Sequence, residues 1–229
     1  MSVEHDGFGD PAFCTGCMKY VYESDDSGPC PVCFPETGAD AQEFEARWWG
    51  NCANTYGEET KQHAYAAVLG LDLRDRGGPG PTINLSGASI LDLGGGPTSL
   101  LLKTENRGQV STVVDPLPVP DWVKARYEAE GIAYLQRAAE GFSDGVRYDE
   151  VWIYNVLQHV YDPVEVLKTA ARHADYIRIF EWVDVPAHEG HPHELKAAQL
   201  DKWLGASGNV LGMNHHGASG KAYVYTGAI

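Results

Sequence analysis

The chain has 229 residues, 43% of them apolar, which is enough to bury one substantial core with a small appendage. Its 17 Lys and Arg stand against 32 Asp and Glu, and the formal charge of −15 opposes loose association with nucleic acid phosphates or anionic lipid. No apolar run approaches the roughly 20 residues of a membrane span, and the opening MSVEHDGFGD has neither the basic nor the apolar region of a signal peptide. A cytoplasmic location without membrane contact is therefore expected.

Cys14, Cys17, Cys30 and Cys33 form C-x2-C-x12-C-x2-C, the spacing at which two tight knuckles bring four thiolates to one tetrahedral ion. MKYVYESDDSGP, between the pairs, alternates and then turns, as a short hairpin of a zinc ribbon would. Four thiolates leave no open coordination position, so zinc here is expected to be structural. The ribbon lies among Glu4, Asp6, Asp10, Glu23, Asp25, Asp26 and Glu36, with Lys19 its only Lys or Arg, which favours packing or protein contact over nucleic acid.

Residues 40 to 69 read as helix, with Phe44, Trp48, Cys52, Thr55, Tyr65 and Leu69 near helical spacing and a break or bend expected near WWGN. RDRGGPGPTINLSGAS reads as a connector. SILDL then suits a buried parallel strand, GGG a tight turn, and TSLLLKTENR a helix starting at that turn. VSTVVD, GIAYLQ, YDEVWIYNV, YIRIF and KAYVYTG follow as strands, interleaved with helical PDWVKARYEAE, DPVEVLKTAARHA and HELKAAQLDKWLG. Asp162 before Pro163 marks a helix start and Gly205 a helix stop. The alternation predicts an α/β fold with a doubly wound sheet whose ligands sit beyond the strands' carboxyl ends.

Three details distinguish the glycine turn from a dinucleotide fingerprint or qualify it. Asp92 lies inside the strand where that fingerprint has an apolar residue, Ser99 replaces the third glycine to leave Gly94-x-Gly96-x-Thr98, and VVDP ends the second strand on Asp115. A carboxylate at that last position can accept both ribose hydroxyls, for NAD as for other nucleosides, so the first two features decide.

On these residues the chain resembles the class I S-adenosylmethionine-dependent methyltransferases over roughly residues 88 to 229. LDLGGGPT is similar to their first motif, VVDP to their second, and YDEVWIYNVLQHVYDP to the segment after strand four in the ubiquinone/menaquinone-type branch. A fainter resemblance over the whole chain, including WWGNCANTYGEETKQ, is to uncharacterised methyltransferase-like proteins of bacteria and phages. The resemblance implies a Rossmann-like sheet, mostly parallel with an antiparallel last strand, and S-adenosylmethionine as cofactor. It implies that Gly94 and Gly96 let the backbone approach the methionine part, that Asp92 lies near its amino end and that Asp115 holds the ribose. Ala138 stands where an acidic residue contacts adenine in such enzymes, with Glu140 two residues on; Tyr154 and Asn155 are expected on the cofactor side.

Methyl transfer from a sulfonium needs an aligned acceptor and a group to take its proton. The candidates are His159, beyond the fourth strand, and Glu181, His191 and His193 in FEWVDVPAHEGHPHEL, which follows the fifth. That loop, which also holds Asp184, His188 and Glu189, reads as acceptor recognition, as an inert surface loop, or as a second metal site. NHHG, residues 214 to 217, reads as the surface turn of a late hairpin. Trp48, Trp49, Asn51, Asn54, Tyr56 and Gln62 read either as a lid over a polar acceptor or as plain helix packing. The expected organisation is a zinc ribbon over 1–38, a helical lid and connector over 39–87 and a methyltransferase core over 88–229. The expected partner is a small-molecule acceptor methylated on oxygen or nitrogen, with a homodimer left open. An RNA methyltransferase with a zinc-ribbon module and a non-catalytic cofactor binder are the alternatives.

Overall fold

The computed structural model describes residues 11–14, 19–22, 36–49, 52–78, 80–188, 190–215 and 218–229. β1 (Pro11–Cys14) and β2 (Lys19–Tyr22) pair antiparallel, Cys14 opposite Lys19. KYVY thus pairs upstream with PAFC; residues 23–35, where the sequence pattern places the rest of its hairpin, lie outside the described residues. Cys17, Cys30 and Cys33 lie outside the described residues.

α1 (Glu36–Trp49) and α2 (Cys52–Val68) form the expected helical segment; residues 50–51, where the break or bend was expected, lie outside the described residues. The connector is not plain loop. It contributes β3 (Leu73–Arg74) and β4 (Thr82–Asn84), which join β6 (Thr104–Glu105) in a small three-stranded sheet.

The main sheet holds β5 (Ile90–Leu93), β7 (Ser111–Asp115), β8 (Ala133–Gln136), β9 (Glu150–Tyr154), β10 (Tyr176–Val183), β11 (Asn209–His215) and β12 (Ala218–Ala228). Their order is β11-β12-β10-β9-β5-β7-β8. The pairings among β8, β7, β5, β9 and β10 are parallel, and β12 runs antiparallel to both its neighbours. The order reverses between β5 and β9, the crevice where open α/β sheets bind ligands.

Side-chain alternation fixes the two faces. From β9, Val151 and Ile153 enter one core with Val166, Leu167 and Ala170 of α4 (Pro163–His173) and Leu200 of α5 (Ala197–Leu204). Trp152 and Tyr154 enter the other, with Tyr65, Ala66 and Leu69 on and just after α2 and Val123 and Tyr127 of α3 (Asp121–Ala129). The α2 face is therefore part of the body of the fold. α4 starts as its sequence signal indicated, with the Asp162 side chain accepting from the Val164 and Glu165 N–H groups ahead of Pro163. α5 ends on Gly205 at φ 66°, but begins at Ala197, not at His193.

One expected helix is missing. TSLLLKTENR forms 3-10 turns at Gly96–Thr98 and Leu100–Lys103 and then β6. Ser99, at φ −47° and ψ 142°, interrupts the helical path, and its hydroxyl accepts from the Leu101 N–H. Tyr127 donates to the Gly96 carbonyl at 2.6 Å and accepts from the Ser99 N–H at 3.0 Å, and Tyr154 accepts from the Leu100 N–H at 2.8 Å. These long-range partners satisfy backbone groups that a helix would have used. No described helix is long and apolar enough to cross a membrane.

Candidate active site

A cavity of about 360 Å³ opens at the carboxyl ends of β5, β7 and β9. Gly94, Gly95 and Gly96 form one wall, with Gly94 at φ 78° and Gly96 at φ 55°, a region glycine enters without strain. A Cβ on Gly94 would stand 2.5 Å from Val156 Cγ1, and one on Gly95 would stand 2.4 Å from Asp92 Oδ2. At Gly94 and Gly95 the turn therefore presents bare backbone, because the space a side chain would need is already taken by Val156 and Asp92.

Behind Gly95 it is Asp92 that fills this space. The residue is fully buried, its Oδ2 accepting from Tyr154 Oη at 2.6 Å and from Ser99 Oγ, while Oδ1 has no partner. Burial pushes its carboxyl up to about 7, against the hydrogen bonds from Ser99 and Tyr154. Asp92 does not line the cavity. It was expected near the cofactor's amino end; the structure instead uses it to brace the turn, and Ser99, in the third glycine's place, is one of its donors.

Asp115 closes the β7 end of the cavity. Its Oδ2 accepts from the Gly96 N–H at 3.0 Å and its Oδ1 from the Leu117 N–H at 2.9 Å, which ties the glycine turn to the second strand. Burial raises its carboxyl to about 6. Each oxygen keeps a lone pair beyond those two bonds, the capacity a vicinal diol needs. Ala138, Ala139 and Glu140 also line the cavity, but the Glu140 Oε1 accepts from the Tyr161 and Asp162 N–H groups, so this carboxylate is engaged in holding the loop before α4. Thr98, Tyr154 and Asn155 line it as well. Thr98 is tied to α2 by Gln62, whose amide nitrogen donates to its carbonyl and hydroxyl. Asn155, at φ 59°, accepts from Gln158 Nε2 at 2.9 Å.

The opposite wall comes from α1 and from two loops. Phe44, Glu45, Trp48 and Trp49 of α1 face His159, after β9, and His188 and His191, after β10. Phe44 and Trp48 stack at 6.5 Å between ring centroids, and the Trp49 indole donates to Glu45 at 2.8 Å. His188 and His191 exchange both backbone hydrogen bonds at 2.9 Å, so the loop is pinned back on itself at this wall. Glu189 lies outside the described residues.

Two of the four expected proton-handling residues are not brought here. His193 does not line the cavity; its Nε2 is bonded to the Val160 carbonyl at 2.8 Å and the Tyr161 carbonyl at 3.2 Å. Glu181 does not line it either, and its Oε1 accepts from the Val156 and Leu157 N–H groups at 2.9 and 2.8 Å. Burial raises the Glu181 carboxyl to about 7. Both fix the loops that carry His159. Among the described residues no cluster of His, Cys, Asp and Glu has the geometry of a metal site. Ser99, Tyr127 and Glu45 went unassigned in the sequence; the i, i+4 spacing of Glu45 and Trp49 on a helix face was the one available signal for the last.

Residues 91–175 match the family model described as a methyltransferase domain. No curated protein sequence matches the chain. Among solved structures, the chain is similar to the 1,6-didemethyltoxoflavin-N1-methyltransferase of Burkholderia thailandensis, solved with 1,6-didemethyltoxoflavin and S-adenosylhomocysteine. The identity is 13%, with 96% of this chain and 100% of that one covered and a TM-score of 0.60. It is similar to the N-methyltransferase NodS of Bradyrhizobium japonicum with S-adenosylhomocysteine, at 11% identity, 82% and 98% coverage and a TM-score of 0.55. It is also similar to the magnesium protoporphyrin IX methyltransferase of Synechocystis with bound S-adenosylmethionine, at 13% identity, 89% and 100% coverage and a TM-score of 0.54. The structural likenesses show the fold, and residues 91–175 of it match a methyltransferase domain.

Proposed function

We propose that the enzyme methylates an oxygen or nitrogen of a small polar acceptor held between the glycine turn and α1. The observation that carries this is a single cavity in which Gly94 to Gly96 and Asp115 form one side and Phe44, Trp48, His159 and His191 the other. The bare turn and the partly free Asp115 carboxylate fit a nucleoside with a 2′,3′-diol, which they would hold by backbone approach and ribose hydrogen bonds. When bound, the cofactor supplies an electrophilic methyl group on a sulfonium. The chain's own residues exclude water with the α1 aromatics, orient the acceptor and accept its proton at an imidazole. Nitrogen acceptors in two structural relatives support the nitrogen option. Titration calorimetry of the full chain with S-adenosylhomocysteine is expected to show one site per chain; absence of heat and of competition by S-adenosylmethionine would leave a methyltransferase fold without its cofactor.

Structural zinc is a second part of the proposal. Its support is the C-x2-C-x12-C-x2-C spacing, with Cys14 at the end of β1 opposite Lys19 of β2. Freshly purified protein is expected to carry one zinc per chain, released by strong chelators with loss of the N-terminal hairpin before the main sheet. Metal analysis returning well below one zinc per chain would refute it.

A further inference from the structure

Resting on the methyl-transfer reading above, we propose that Glu45 of α1 and His159 form a carboxylate–imidazole pair in which Glu45 positions the ring and His159 Nε2 takes the acceptor's proton. His159 Nδ1 lies 2.7 Å from the Gly190 carbonyl and 3.2 Å from Glu45 Oε1, two groups that can only accept. Nδ1 must therefore carry a proton, and in the neutral ring Nε2 holds the lone pair. Gln158 Nε2, which donates to Asn155 Oδ1, lies 3.4 Å from His159 Nε2. Glu45 is held in turn from the other side by the Trp49 indole N–H at 2.8 Å, so its carboxylate is fixed by its own helix before it meets the histidine. This is the arrangement in which a buried carboxylate selects the tautomer and orientation of a general base.

The charged surroundings act in the same direction. Burial disfavours the imidazolium, but the hydrogen bond and charge of Glu45, helped by Glu181 of β10 and the Gly190 carbonyl, outweigh it and raise the His159 pKa above its usual value. Asp115 at the end of β7 is also within electrostatic reach. Of the groups from the loop after β10, His191 packs edge-on against His159 at 4.5 Å. Burial, then the charges of His159 and His188, lower its pKa to about 4, so it stays neutral and adds no competing charge near neutral pH. The pair thus strengthens His159 as a proton acceptor.

The substrate class follows from the stoichiometry. The acceptor's oxygen or nitrogen forms a bond to the methyl carbon, the carbon–sulfur bond breaks with its electron pair going to sulfur, and the acceptor's proton passes to His159 Nε2 and on to water. Such a base serves an acceptor whose attacking atom must lose a proton, namely a hydroxyl or a ring N–H, in preference to a tertiary amine or a thioether. The stacked Phe44 and Trp48 rings in the same wall suit a flat ring system as its carrier.

Two-bond nitrogen–proton NMR of the full-length protein reads the pair directly, with His159→Gln assigning the ring. The wild type is expected to show the Nδ1-protonated tautomer and a His159 pKa above 6.5. Glu45→Gln should drop that pKa by about one unit or more, and Glu45→Asp should restore part of it. An Nε2-protonated wild-type ring overturns the proposal even if no variant folds, and so does a titration that Glu45→Gln leaves unmoved. S-adenosylhomocysteine binding reads the cofactor site separately. Retained binding with an unmoved titration overturns the pair alone, whereas absent binding overturns the methyl-transfer reading and with it the role of the pair.

Discussion

Asp115→Ala is expected to weaken S-adenosylhomocysteine binding about 30- to 100-fold, the equivalent of roughly 2–3 kcal/mol for losing a charged acceptor in a largely dry site. Two effects combine. The ribose hydroxyls lose their partner, and the Gly96 and Leu117 N–H groups, now held at 3.0 and 2.9 Å by the carboxylate, lose theirs, which loosens the turn itself. Asp115→Asn separates the two effects, because its amide oxygen can still accept one backbone bond while the charge is gone. It should fall between wild type and Asp115→Ala in calorimetry. An Asp115→Ala protein that folds normally and binds with unchanged affinity would remove the ribose role from this residue.

Gly94→Ala is expected to damage stability and binding together. The residue has φ 78°, which costs a side-chain-bearing residue about 1–2 kcal/mol. Its new Cβ would sit 2.5 Å from Val156 Cγ1, and Val156 is itself buried, so relief requires moving the loop after β9, at a further cost of about 1–3 kcal/mol. A total near 3 kcal/mol corresponds to a fall of roughly 6–12 °C in melting temperature for a chain of this size. The displaced loop carries Asn155 and His159, so cofactor binding should be lost beyond what the stability change alone gives. The smaller change Val156→Ala in the same background should recover part of both, since it removes the atoms in conflict; no recovery would place the damage in the backbone conformation alone.

The strands and the helix caps were legible because their signals are local. Asp162 with Pro163 and Gly205 act within one turn of chain, and the structure uses both as written. The short apolar runs became the buried parallel strands because both faces of the central sheet are covered, by α2 and α3 on one side and α4 and α5 on the other. What could not be read depends on residues far apart in sequence. The segment after the glycine turn has the composition of a helix, yet Tyr127, 28 residues away from Ser99, and Tyr154, 54 residues from Leu100, supply hydroxyls that hold it in 3-10 turns. β11 was legible only as the first arm of the late hairpin and not as a strand in its own right, because it is an edge strand with Val210 and Leu211 exposed, which breaks the inward–outward alternation.

The same distinction runs through the site. That Gly94, Gly96 and Asp115 would share one cavity wall was legible because a glycine turn and a strand-end carboxylate have a fixed spacing along the chain. Glu181 and His193 looked reactive because they are ionisable groups at the functional edge, but their hydrogen-bonding capacity is directed at backbone groups of residues 156–161. Asp92 has the same fate inside the sheet. Glu45 was invisible because its meaning lies in His159, 114 residues later, and a helix face read for its aromatic spacing gives a carboxylate beside them no role.

The most direct test of the account is a crystal structure of the full chain with S-adenosylhomocysteine. The nucleoside is predicted to lie along Gly94 to Gly96 with both ribose hydroxyls on Asp115 and its sulfur facing the space bounded by His159, His191 and Trp48. A nucleoside seated elsewhere, or a sulfur turned away from that wall, would contradict it.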